Sequence, residues 1–162
     1  MSPPRKISPS KIHLAVMRGD LAGVREAIGR GDKVNELDRD GRTPLFISVA
    51  DGDIEISSAL IDAGANVNAQ DKSLETPLHF AAREYRVAAA KLLLEHGARV
   101  DAQDSDGNTA LFRAVFDSKG RGEMIALLLA FAADKHVKNK HGVSPDDLAR
   151  SIANYDVKRF LE

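Results

Sequence analysis

The residues of this 162-residue chain that could support acid–base or metal chemistry are five histidines and several pairs of aspartates. His79 ends the segment Thr-Pro-Leu-His, and His13 occupies the matching position near the N-terminus. Two further segments of the same kind have phenylalanine there, and a position that accepts phenylalanine is not a catalytic base. His136 and His141 lie among lysines, whose positive charge disfavours a zinc ion.

The aspartate pairs favour a structural role over catalysis. They are Asp38/Asp40, Asp51/Asp53, Asp104/Asp106 and Asp146/Asp147. A paired-acid hydrolase needs two carboxylates in one pocket with different pKa values, whereas these pairs fall at expected turns and helix starts. The chain has no phosphate-binding loop, no nucleophile–base motif and no cysteine. We therefore predict that the protein is not an enzyme and uses no cofactor or metal.

An internal repeat predicts the elements that position these side chains. Segments that begin at Asp38, Asp71 and Asp104 align with a period of 33 residues. Each has a threonine at a helix N-cap position, then apolar residues with helical spacing. A second apolar stripe ends at a glycine, which predicts a left-handed helix terminus. Ala132 replaces that glycine in the fourth unit, at an expected cost of about 1 kcal/mol if the left-handed geometry is kept.

The 33-residue period, with Thr-Pro-Leu-His and Gly-Ala-x-Val-Asn, resembles the ankyrin repeat. The resemblance implies an all-α solenoid of stacked helix-turn-helix units with hairpin tips. We predict a single domain over 9–162, built from an N-terminal cap, three full repeats and a C-terminal cap. The expected units are 9–37, 38–70, 71–103, 104–138 and 139–162, preceded by a disordered tail at 1–8.

The resemblance also implies that a protein ligand contacts the hairpin tips and the concave side formed by the first helix of each unit. By register, the candidate residues on the tips are Arg39, Asp40, Arg42, Lys72, Leu74, Glu75, Asp106 and Asn108. The candidates on the concave side are Asp51, Arg83, Glu84, Tyr85, Phe116 and Asp117, and Lys119 and Arg121 belong to an adjacent insertion.

Four of these features depart from the repeat pattern. Phe116 and Tyr85 are aromatic where other units are not, and exposed aromatic residues are enriched at binding hot spots. Two extra residues within 117–123 lengthen the loop beside Phe116. This insertion either has a function, as irregular loops often do, or results from neutral drift. Leu74 stands where other units have glycine, so either the turn differs there or Leu74 is an exposed contact.

Charge and hydropathy narrow the class of partner. The net charge of −1 gives no general attraction to nucleic acid or to anionic membranes. There is no apolar run of the roughly 20 residues that span a bilayer, and no secretory signal, so we expect a cytoplasmic protein. We predict an adaptor or inhibitor of one protein ligand, monomeric when unbound because its ends are capped.

Two alternative functions remain open. The segment from Asn139 to Lys158 is similar to the ends of small bacterial ankyrin proteins, some of which are immunity proteins that neutralise a toxin. The other alternative is a structural or self-associating repeat protein.

Overall fold

The computed structural model describes residues 10–152 and 156–162, so the predicted tail at 1–8 lies outside the described residues. The described chain forms nine α-helices and one 3-10 helix, with no strand. They are α1 (Lys11–Met17), α2 (Leu21–Gly29), α3 (Pro44–Asp51), α4 (Ile54–Asp62), α5 (Pro77–Arg83), α6 (Val87–Glu95), α7 (Ala110–Phe116), α8 (Glu123–Ala130), α9 (Pro145–Ser151) and the 3-10 helix Lys158–Phe160. None of these helices is long and apolar enough to cross a membrane.

The helices pack in two layers that run along the chain. The first helices of the units, α1, α3, α5, α7 and α9, contact one another in that order, and so do the second helices α2, α4, α6 and α8. One helix pair falls within each of the first four predicted units. Because each unit packs only on its neighbours, the apolar core is continuous from end to end. The fold is the helical repeat solenoid that the sequence predicted.

The core follows the apolar stripes of the repeat. Leu45, Leu78 and Leu111 share one register position in the inner layer and are no more than 1% exposed. At that position the last unit has Asp146, which is half-buried and lies 2.9 Å from Arg150. The open face of this last unit is covered by two buried residues from the end of the chain, Val157 and Leu161. A carboxylate is tolerated there because it is only half-buried and pairs with Arg150.

Hydrogen bonds close each hairpin tip and join it to the next. Asp71, for example, accepts the backbone N–H groups of Ser73 and Glu75 on one carboxylate oxygen, at 2.8 and 3.0 Å. Asp38, Asp104 and Asn139 do the same in their units. Backbone bonds then link successive tips: Lys72 N–H to Asp40 O, Ser105 N–H to Ser73 O, and Lys140 N–H to Asp106 O, at 2.8–3.1 Å. The tips therefore form one hydrogen-bonded row.

The left-handed helix ends are confirmed. Gly31, Gly64 and Gly97 have φ between 82° and 88°, and Ala132 adopts φ 62° at the equivalent position. Because an L side chain in this conformation is strained, the alanine carries the cost that the sequence indicated.

We expect Ala132→Gly to raise the free energy of unfolding by about 1 kcal/mol, since glycine adopts the left-handed conformation without strain. Gly64→Ala should lower it by a similar amount, because its φ is 88° and a Cβ there meets open space. Urea denaturation measures both values. An Ala132→Gly variant no more stable than the original would contradict the prediction.

Buried histidines link neighbouring units. The Nδ1 of His79 accepts the backbone N–H of Thr76 at 3.1 Å and contacts its hydroxyl, and its Nε2 donates to the carbonyl of Asn108 in the next unit at 3.0 Å. His13 makes the corresponding pair of contacts with Ser10 and Arg42. These bonds give the histidines a structural role, and they require a neutral His79 ring.

The threonine cap is not uniform along the chain. Thr109 accepts the N–H of Phe112 as predicted, at 3.2 Å. In the second unit the expectation is wrong: the Oγ1 of Thr43 is buried and has no hydrogen-bond partner among the described residues. Phe46 stands there in place of histidine and packs edge-on against Phe80, with ring centroids 5.3 Å apart. The second and third units are therefore joined by aromatic packing instead of a histidine bridge.

Burial lowers the pKa of His79 from its ordinary 6.5, so the unfolded chain takes up a proton before the folded chain does. The resulting stability is fully present above the unfolded-state pKa of 6.5 and is lost as the pH falls from there through the lower pKa of the folded state. We expect His79→Phe to be less stable at neutral pH by about 1–2 kcal/mol, through lost hydrogen bonds. Denaturation at pH values from neutral to about 5 should show that the difference in free energy of unfolding between the original protein and His79→Phe narrows. A difference that stays constant would contradict a neutral buried histidine.

Candidate functional site

The exposed side chains at the ends of the first helices form a continuous surface, called here the first-helix face. Two register positions define it: Met17, Ala50, Arg83 and Phe116 at one, and Arg18, Asp51, Glu84 and Asp117 at the other. Phe116 is 64% exposed and Met17 is 59% exposed. Phe116 therefore does not pack beneath the insertion.

Ion pairs hold the middle of this face rigid. Arg83 lies 3.0 Å from Glu75, and Arg113 lies 2.6 Å from Asp104 and 3.7 Å from Glu75. Both carboxylates are buried while the two guanidinium groups are partly exposed. Burial alone would raise the pKa of Asp104, but hydrogen bonds from Asn108, Arg113 and Asp106 outweigh it and lower that pKa. Asp104 therefore stays ionised at neutral pH.

Two residues predicted on the exposed tips are buried instead. Glu75 is 7% exposed and Asn108 is 6% exposed. Glu75 turns inward because Arg83 and Arg113 both reach it, and Asn108 lies between the Asp104 carboxylate and the side chain of Asn139. The expectation that these two are accessible to a partner is wrong, and both stabilise the stack.

Arginine and phenylalanine also stack on this face. The guanidinium groups of Arg42 and Arg83 lie 4.9 and 4.4 Å from the centroid of the Phe80 ring. The ring itself is only 5% exposed. Arg42 is in addition 3.7 Å from Asp71. These contacts fix Arg42 and Arg83 in place, so each has little conformational entropy to lose on binding.

The insertion is held by contacts on both of its sides. The hydroxyl of Tyr85 donates to the carbonyl of Arg121 at 2.6 Å, and the Arg121 guanidinium lies 3.8 Å from the centre of the Tyr85 ring. On the other side, a Cβ at Gly122 would lie 2.3 Å from the ring of Phe160. Tyr85 is half-buried and has φ 57°, so its exposure was overestimated from the sequence. Its side chain holds the insertion in place.

The remaining tip candidates lie at the surface. Leu74 is 47% exposed with φ 58°, the left-handed conformation that Gly41 and Gly107 adopt in neighbouring tips. The turn is therefore the same, and Leu74 is an exposed side chain on it. The other exposed candidates are Arg39, Asp40, Lys72, Asp106 and Lys119.

Several residues of this surface were not predicted from the sequence. Leu14 is 38% exposed and Leu37 is 54% exposed. Leu14 has the helical spacing of a core residue, so periodicity alone gave no signal that it faces solvent. Arg113 was not predicted either. The available signal was its charge, because the same register position holds the apolar residues Leu14, Ile47 and Phe80 in other units.

The outer layer carries no comparable arrangement. An open groove of about 810 Å³ lies between α2 and α4, on the outer layer, with Leu21, Ile28 and Ile54 among its lining residues. Among the residues that the structure describes, no three acidic or histidine side chains could together hold a metal ion.

Comparison with known proteins agrees with this geometry. The family model for ankyrin repeats (3 copies) matches residues 12–104 and 63–140. A search of curated proteins found no match to the chain. Ankyrin repeats generally mediate protein–protein interaction and are typically non-enzymatic.

Proposed function

Because the chain belongs to the ankyrin-repeat family, we propose that it binds one protein ligand through the first-helix face and the hairpin tips. The observation that carries this proposal is Phe116. Its ring is 64% exposed at the end of α7, next to an insertion that is held on both sides. Burying so large an apolar ring against a partner makes the free energy of binding more favourable.

Rigidity supports the same proposal. The tip backbones are already paired with one another, so a ligand meets outward-facing side chains on a fixed backbone. Arg83 is fixed by Glu75 and by the Phe80 ring. A preorganised surface loses less conformational entropy when its side chains become ordered on binding. The protein acts by occupying a surface of its ligand, without chemistry of its own.

An adaptor, an inhibitor and an immunity protein differ in what happens to the ligand. An inhibitor abolishes the ligand's activity at one-to-one stoichiometry, and an immunity protein does so for a toxin encoded beside it. An adaptor leaves that activity intact and recruits a third protein. Light scattering of the unbound chain separates all three from a self-associating protein, for which the mass grows with concentration.

Phe116→Ala is expected to weaken binding of the ligand that co-purifies from the native host by about 1–3 kcal/mol. Phe131→Ala is the matched control, because Phe131 is also exposed (37%) but lies at the C-cap of α8 in the outer layer. Calorimetric titration measures both affinities. Equal affinity of Phe116→Ala and the original protein, or equal losses in the two variants, would place the interface elsewhere.

A further inference from the structure

The first-helix face carries carboxylates where helix stability disfavours them. Asp51 is the last residue of α3, and Glu84 and Asp117 are the C-cap residues of α5 and α7. A helix C-terminus has partial negative charge, so each carboxylate there is destabilising by about 0.3–1 kcal/mol. Three successive units place an acid at this position against that preference. Acids also end the outer helices α4 (Asp62) and α6 (Glu95), so a role in binding rests on the partners and apolar neighbours of this row and not on its helix positions alone.

The arginines of this face are already engaged by other acids. Arg83 is bound to Glu75 and lies 3.4 Å from Glu84. Arg113 is bound to Asp104. Both arginines still lower the pKa of Asp117, but neither lies within ion-pair distance of Asp117 or Asp51.

The two outer carboxylates of the row have no such partner. Within the described residues, the side chains of Asp51 and Asp117 take part in no hydrogen bond or ion pair. Burial raises the pKa of Asp117, and Glu84 raises it further, while Arg113, Arg83 and Lys119 only partly offset them. The charged form of Asp117 is poorly solvated, and a cation from outside would stabilise it.

Apolar side chains lie at both ends of the same face. Leu14 and Met17 project at the first unit and Phe116 at the fourth, with the half-buried Ile47 and Ala50 in the second unit. Packed helices lie about 8–10 Å apart, so the carboxylates recur at about that interval. Two turns of an α-helix or three residues of an extended chain cover the same distance, about 10 Å.

We propose that the occupant of the first-helix face is a basic amphipathic segment of a partner protein. Its Lys or Arg side chains pair with Asp51, Glu84 and Asp117, and its apolar side chains cover Phe116 and Met17. This inference rests on the proposed function and names its class of partner by charge complementarity. Arg18 holds this register position in the first unit, so the carboxylates span the second to fourth units. There they repel phosphate groups, which disfavours nucleic acid and anionic lipid.

Synthetic peptides test the inference with the full chain. One probe has leucine and lysine in an amphipathic helical pattern, and the second has glutamate in place of every lysine. Fluorescence anisotropy should detect binding of the lysine peptide alone, and added salt should weaken it by screening the charges. The double variant Asp51→Asn, Asp117→Asn should lose affinity by about tenfold or more.

Asp62→Asn is the matched control, because Asp62 is likewise an exposed acid at the last position of a helix, α4, but lies in the outer layer. It should bind the lysine peptide as the original protein does. Failure of the lysine peptide to bind, equal binding of the two peptides, or an equal loss in the control would overturn the inference.

The co-purified native ligand separates this inference from the proposed function. If that ligand loses affinity on Phe116→Ala but binds the Asp51→Asn, Asp117→Asn variant normally, the face is an interface whose partner is not basic. If neither change affects it, both proposals fail.

Discussion

Replacing Asp104 with alanine is expected to lower the free energy of unfolding by about 3–4 kcal/mol, the largest loss that we predict for a single side chain outside the apolar core. Its side chain is nearly inaccessible and accepts the N–H groups of Asp106 and Asn108, both at 2.9 Å, and the Arg113 guanidinium at 2.6 Å. Removing it leaves the buried N–H of Asn108 without its acceptor, and leaves Arg113 with only the more distant carboxylate of Glu75, at 3.7 Å. Chemical denaturation measures the loss.

Two variants separate the turn from the ion pair. Asp38→Ala removes the same pair of turn hydrogen bonds, to Asp40 and Arg42, in a tip whose aspartate is more exposed and has no buried ion pair. We expect it to cost about 1–2 kcal/mol. Asp104→Asn keeps the turn, since Asn139 closes an equivalent tip, and should fall between the other two. Equal losses for Asp104→Ala and Asp38→Ala would show that Arg113 contributes nothing.

Gly107→Ala is expected to destabilise the protein by about 2–3 kcal/mol, and for two separate reasons. The residue has φ 80°, which is strained for any L side chain. In addition, a Cβ there would lie 3.0 Å from the backbone N of Lys140 and 3.1 Å from the Cα of Asn139. The neighbouring tip would have to move, which would weaken the hydrogen bond from Lys140 to Asp106.

Gly142→Ala isolates the first of these reasons. Gly142 has nearly the same φ, 76°, at the equivalent position of the last tip, and a Cβ there meets nothing within 4 Å. It should cost only about 1 kcal/mol. The difference between the two variants measures the contact between tips. If both variants lose the same free energy, the row of tips does not contribute to stability as we describe.

The sequence predicted the fold well because repeated patterns carry the fold-determining physics. Apolar spacing placed Leu45, Leu78 and Leu111 in the core, and the glycine pattern located the left-handed helix ends. It even indicated the strained Ala132, since one deviation is visible against several regular copies. Such regularities are local, and a local pattern can be interpreted without coordinates.

The surface was less predictable because side chains from different units decide it. Glu75 has the register of an exposed tip residue, yet arginines from two first helices draw it inward. Tyr85 appeared to be a free aromatic side chain, but it is engaged by Arg121, 36 residues along the chain. Phe116, by contrast, is 64% exposed, as its register position predicted. Contacts between side chains of different units do not alter the repeat period, so the repeat pattern does not reveal them.

Hydrogen exchange of the complex with the co-purified native ligand tests the central claim most directly. Binding should slow amide exchange in the tips and near the C-terminal ends of α1, α3, α5 and α7, including residues 116–122. The outer helices α2, α4, α6 and α8 should exchange as they do in the free protein. Protection confined to the outer helices, or to the groove between α2 and α4, would contradict a ligand bound on the first-helix face.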